Sequence, residues 1–252
     1  MDAVVDFFLK MLVALVFIGL TTLTASWSLL RGFKPRVVVL MGAATLAVFL
    51  GALFLFMQSA LKQDTLPMFQ QYFAEAWKNQ AQWMTSSGVA ADKIAMLREI
   101  IEKYFFQAFP SWIAVNCLIL GLLAYYLATA ILSRVTTRVS KAIAFREWVI
   151  PEPLVFGLII GGILKLFFRE NSALDILGNN FLVFFVGLYT LGGLSIISFF
   201  FHKWRLPGFM RLFSYIVLLN LVFETVCCFG VLDVWFDFRK LKAAPPTPEP
   251  TA

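Results

Sequence analysis

The sequence predicts an all-α fold: a polytopic transmembrane helix bundle of a bacterial type, with about six spanning helices and an extracytoplasmic amphipathic helical loop. Three observations predict it. Of 252 residues, 60% are hydrophobic and only 14% charged, whereas a soluble domain carries about 25% charged residues. Phe alone occurs 28 times, more apolar surface than a soluble fold of this size hides but which a bilayer accommodates. Lys and Arg gather in short connections between apolar runs, the pattern of cytoplasmic loops, which accounts for a net charge of +6 without nucleic acid.

Six apolar runs are each long enough to cross about 30 Å of hydrocarbon at about 1.5 Å per residue. The first, 11–30, follows Asp2 and Asp6 where a signal peptide carries positive charge, and it outruns a signal's apolar core, so it reads as a retained helix. The second is 37–61. Loop 62–104 is long and charge-balanced. In it Phe69, Phe73 and Trp77 recur every four residues, Ile94, Leu97 and Ile101 at three and four, with Ser86, Ser87 and Gly88 between. That spacing predicts two amphipathic helices on the outer membrane surface, for packing and anchoring or as a lid over an outward-facing cavity.

The third run, 109–132, opens with Pro110. The fourth, 148–168, has Pro151 and Pro153 in its first turns, where proline is tolerated. Trp148 suits an interfacial anchor at its cytoplasmic entry, and Arg146 and Glu147 can pair with each other or with a partner protein there. The fifth run is 173–201 and the sixth 209–232. Residues 1–242 are thus expected to form a single transmembrane domain, followed by a disordered Pro-rich tail, 243–252.

Arg31, Lys34 and Arg36 fill the first connection, Arg134, Arg138, Lys141 and Arg146 the third, and Lys203, Arg205 and Arg211 the fifth. All are odd-numbered, so one orientation places them in the cytoplasm and both termini outside the cytoplasmic (inner) membrane. Arg239, Lys240 and Lys242 then fall outside, against the trend.

The membrane-embedded polar residues are the candidate site. Glu224 lies inside the sixth run, and a charge at mid-membrane costs about 2.5–3.5 kcal/mol on insertion scales. Thirteen Leu, Ile, Phe and Val residues between 212 and 232, at about 0.3–0.6 kcal/mol each, offset it with roughly 4–8 kcal/mol. Asn220 precedes it by one turn and shares its face if the helix is continuous. On the expected topology Asn116, Asn179, Asn180 and Lys165 lie in the same outer half, with Asp233, Asp237 and Arg239 following on that side. Lys165 is within reach of Glu224 in this arrangement. Two readings are open: hydrogen bonds that glue the bundle at about 0.6 kcal/mol each, or a small outward-facing pocket binding an ion or ligand.

Other chemistry has little footing. Cys117, Cys227 and Cys228 sit in apolar runs without metal-ligand spacing, and His202 is the only histidine, so no metal site, cofactor or catalytic triad is expected, and the chain is not expected to be an enzyme. Gly157 and Gly161, with Gly187, Gly192 and Gly193, mark close helix approach.

The run from Phe145 to Trp148 with Pro151, the stretch Leu177-Gly-Asn-Asn-Phe181, Arg205-Leu-Pro207 and the closing Gly230-Val-Leu-Asp-Val-Trp-Phe-Asp-Phe-Arg-Lys240 together resemble the YybS-like family of predicted bacterial membrane proteins. The resemblance covers roughly 37–240. Longer members carry extra N-terminal helices distantly similar to the substrate-binding S components of energy-coupling-factor transporters; this chain has one helix before the shared region. The resemblance marks Arg146, Asn180, Asp233, Asp237 and Arg239 as family positions. Two functions follow as expectations: a membrane scaffold or subunit of a membrane complex, with a protein partner in the membrane or at the cytoplasmic loops, or a small-molecule binding or transport component. An ATP-driven transporter would need a separate ATPase, because no phosphate-binding GxxxxGK[ST] loop occurs.

Overall fold

The computed structural model describes residues 2–59, 65–139, 141–168 and 172–241; the Pro-rich tail lies outside them. Every regular element among the described residues is helical, as the apolar runs require, because lipid offers backbone groups no partner. The chain divides into two compact units, Met1–Ala142 and Ile143–Ala252.

The first unit holds α1 (Asp2–Leu30), α2 (Pro35–Ser59), α3 (Thr65–Ser86), α4 (Ala91–Gln107) and α5 (Phe109–Val135). Helices α1, α2 and α5 pack on one another. Leu46 and Cys117 form their buried core with Ala43, and Gly42 meets Gly121 where α2 and α5 cross. Thr24 of α1 and Thr45 of α2 lie 3.4 Å apart. The α2–α5 register runs antiparallel, from Leu46 in one cluster with Cys117 to Val39 beside Gly121. It brings Arg31, Lys34 and Arg36 to the same end as Arg134, as a shared membrane face demands.

Helices α3 and α4 form on either side of Gly88, whose φ of +83° glycine reaches cheaply. Phe73 stacks on Phe105 with ring centroids 5.6 Å apart and meets Phe106 edge-on at 5.7 Å. The amphipathic spacing of the second connection thus closes on an aromatic seam between the two helices.

The second unit holds α6 (Val155–Phe167), α7 (Ala173–Lys203), α8 (Gly208–Leu221) and α9 (Phe223–Phe236). Helix α6 runs antiparallel to α7, with Gly161 against Phe181 and Gly178 against Leu164. The α7–α9 crossing is closer still, with Gly193 against the Val226 carbonyl and Gly230 against the Tyr189 carbonyl.

By length and apolarity, Pro35–Phe56, Phe109–Val135 and Ala173–Lys203 are span candidates, and α8 with α9 makes one more as a bent pair. Two runs depart from simple spans. The fourth becomes a 13-residue helix preceded by extended backbone and two turns of 3-10 helix over 145–154. Pro151 and Pro153 remove the amides that would carry a helix there. The sixth breaks at Val222 (φ −138°, ψ 38°), and its two halves meet at 99°.

Candidate functional site

The residues singled out in the sequence fall into separate places, and the break at Val222 explains part of this. Asn220 ends α8 and Glu224 sits in the first turn of α9, so they do not share a helix face. Asn220 is exposed and its amide donates to the Ile216 carbonyl at 2.8 Å. Glu224 is exposed too. Asn116 is exposed and donates back to the Trp112 carbonyl at 2.8 Å.

Lys165 does not meet Glu224. Its ammonium lies 2.7 Å from Asp175 Oδ1, a carboxylate only 3% exposed. Asp175 holds this position because Ser172 caps α7, accepting the Asp175 amide at 3.1 Å. Asn179 is one turn further on the same face, 8% exposed, its amide nitrogen buried with no partner. Asn180 points elsewhere and donates to the Ile176 carbonyl.

A second and denser knot lies further along α7. Its origin is local. Asp237 takes the left-handed conformation (φ 40°, ψ 58°) that ends α9, one that aspartate tolerates better than most residues. The chain then folds back on the helix end: Asp233 Oδ1 accepts from the Phe238 amide and Asp237 Oδ1 from the Leu241 amide, each at 3.0 Å. This turn aims Arg239 inward. Its Nη2 donates to Asp233 Oδ2 at 2.7 Å, with the two side chains 2% and 9% exposed. Its Nη1 faces three acceptors: the Arg146 and Trp148 carbonyls at 2.9 Å and Ser195 Oγ at 2.7 Å. Ser195, fully buried, donates to the Phe145 carbonyl at 2.7 Å.

The chemistry of the knot is that of a backbone clamp. Residues 145–147 form a single 3-10 turn, closed by the Trp148 amide on the Phe145 carbonyl, so the buried carbonyls of this short segment draw donors from elsewhere in the unit. Arg239 and Ser195 supply them. Arg239 Nε stays buried without a partner. The neighbouring void, lined by Val149, Gly192, Gly230 and Asp233 among others, measures about 10 Å³, room for at most a single water.

The two knots mark opposite ends of one helix. Asp175 and Ser195 are 20 residues apart, about 30 Å along α7, the thickness of the hydrocarbon layer. The polar groups therefore do not converge at one depth. The same contacts correct the expected sidedness. Arg146 and Trp148 were assigned to the cytoplasmic face and Arg239 to the outer one, yet Arg239 bonds to both their carbonyls. Arg239 and the 146–148 backbone lie together in the second unit.

Two residues central to the knots escaped the sequence reading, Asp175 and Ser195. Asp175 had a signal, the Ser172-x-x-Asp175 cap. Ser195 had only its place beside Gly192 and Gly193. Arg146 contributes its carbonyl rather than its guanidinium, which lies 3.6 Å from Glu147 at the surface.

No curated protein and no solved structure shows significant similarity to the chain. A family model does match, over residues 3–234, which takes in the first helix and stops short of Asp237 and Arg239. The family is consistent with the resemblance carried by the sequence motifs, and the chain belongs to it: the predicted membrane proteins of the DUF2232 family.

Proposed function

We propose that the chain is a non-catalytic subunit of a complex in a bacterial cytoplasmic membrane, acting as a scaffold through its helices. The observation that carries this reading is the closure of the Asp233–Arg239–Ser195 knot. Both carboxylate oxygens of Asp233 are taken up within the unit, and the adjoining void of about 10 Å³ is far below ligand size. The most strongly polar residues thus hold backbone in place rather than face a substrate. In this reading the face carrying Arg146, Lys203, Arg205 and Lys240 is cytoplasmic, and the C-terminal segment lies there too. That orientation removes the exception which Arg239 and Lys240 made to the charge rule.

A second reading rests on a different observation. A cavity of about 300 Å³ between α1, α2 and α5 is lined by Phe17, Thr21, Thr22, Leu46 and Leu127 among others, with the Thr22 hydroxyl buried and unpartnered. Its size is at the lower end for small-molecule pockets, and its lining suits an acyl chain or another apolar ligand.

Native mass spectrometry of the chain extracted in mild detergent at its natural abundance separates the two. A defined protein complex without a small ligand is the expected result. A stable added mass of a few hundred daltons, lost when Thr22→Leu fills the cavity, would overturn the scaffold reading in favour of ligand binding.

A further inference from the structure

Glu224 is the strongest unexplained group in the second unit. It is exposed, and no hydrogen bond or ion pair to it occurs among the described residues. The exposed faces of α8 and α9 are mainly apolar, with Phe213, Ile216, Leu219, Phe223, Phe229 and Leu232 beside exposed Asn220 and Thr225. Its depth follows from the packing of α9. Val226 and Cys227, two and three residues on, lie against Gly193 and the Val186 carbonyl. These flank the middle of α7, a helix of 31 residues. Glu224 thus stands near mid-membrane, facing away from its own unit.

Glu224 is the second residue of α9. A carboxylate that faces lipid at this depth calls for a cation. Among the described residues no cation of the unit pairs with it: Lys165 pairs with Asp175, Arg239 with Asp233 and Arg146 with Glu147, and Arg211 donates to the Leu206 carbonyl. A second copy of the chain fits poorly. A two-fold interface would set one Glu224 near the other and bring it no opposite charge.

We infer that Glu224 is the docking point for a membrane-spanning helix of another polypeptide that places a Lys or Arg at mid-membrane, seated on the exposed faces of α8 and α9. This deepens the scaffold reading and rests on it. The carboxylate supplies orientation and selectivity, and the apolar residues around it supply contact area.

The test uses the full chain in native membranes, with a photocrosslinking residue in place of the exposed Cys228, one turn from Glu224. The expected result is one adduct, mapped to a membrane segment containing Lys or Arg. Glu224→Lys lowers its yield at least tenfold and Glu224→Gln lowers it less. Changing the partner's cation to Glu restores the yield with Glu224→Lys. Thermal unfolding of each variant in detergent verifies folding, and the charge-swapped pair keeps the test decisive if Glu224→Lys alone folds poorly. An adduct indifferent to Glu224→Lys, a partner segment without a cation, or adducts only with lipid or a second copy would each overturn the inference. If a defined complex survives Glu224→Lys intact, the scaffold reading stands and this inference falls. If no complex forms with the unaltered chain, both fall.

Discussion

Arg239→Met tests the backbone clamp directly. The substitution keeps an apolar stem of similar reach and removes every donor. Asp233, 9% exposed in its side chain, is left as an uncompensated buried carboxylate. Breaking a buried pair from one side costs about 3–5 kcal/mol. The Arg146 carbonyl also loses its donor, while the Trp148 carbonyl keeps a contact with Ser195 Oγ at 3.1 Å. Those losses overlap with the first and do not simply add. Taking about 4 kcal/mol and about 2–4 °C per kcal/mol for a chain of this size, the unfolding midpoint in detergent falls by roughly 8–16 °C. Asp233→Asn alone costs less, because an amide still accepts from the Phe238 amide. The double variant recovers part of the loss, with a coupling of at least about 1 kcal/mol in the mutant cycle. A loss below about 1 kcal/mol for Arg239→Met, or strict additivity with Asp233→Asn, would refute the clamp.

Gly193→Ala drives a methyl group into the Val226 carbonyl and Gly230→Ala one into the Tyr189 carbonyl, so each should lose about 1–3 kcal/mol or more. Gly162→Ala, with open space at its Cβ, should be neutral or slightly stabilising in the same melt. Lys165→Met strands the buried Asp175 carboxylate and should cost about 2–4 kcal/mol; Asp175→Asn in the same chain should return most of it, and no recovery would dissolve the pair as a structural unit. Cysteines introduced at exposed Glu147 and exposed Lys240 should react with a membrane-impermeant maleimide from the same face, and one at exposed Ala173 from the other. Labelling of 147 and 240 from opposite faces would contradict the Arg239 contacts.

Apolar run length made the membrane fold legible in the sequence, and α2, α5 and α7 follow it closely because nothing in those runs interrupts helical bonding. The amphipathic connection was legible for the same reason, through the spacing of Phe73 and Trp77 and the glycine at position 88. Proline was read less well. Pro151 and Pro153 suit a helix start, and the irregular course of 145–148 draws on donors from Arg239 and Ser195, 91 and 47 positions beyond Trp148. The break at Val222 had no marker, since Leu221-Val222-Phe223 is as apolar as its flanks. That break moved Glu224 from a helix interior to a helix start. Of the candidate site, the family positions Asp233, Asp237 and Arg239 were found together, but as a fold-back turn rather than as a pocket wall. Their partner carbonyls carry no side-chain signature, so no reading of residue types reaches them.

The donors that satisfy residues 145–148 also set an order of events in biosynthesis. A ribosome releases this chain from its N-terminus, and Arg239 emerges more than ninety residues after Arg146. Until then the carbonyl of Arg146 must be served by water, by lipid headgroups or by the insertion machinery. The second unit therefore cannot close before residue 239 has been made. It locks in one late step, when the last turn folds back and the guanidinium arrives. A chain cut short after Phe236 would carry all the described helices and still lack the bonds that Arg239 makes to the 146–148 backbone.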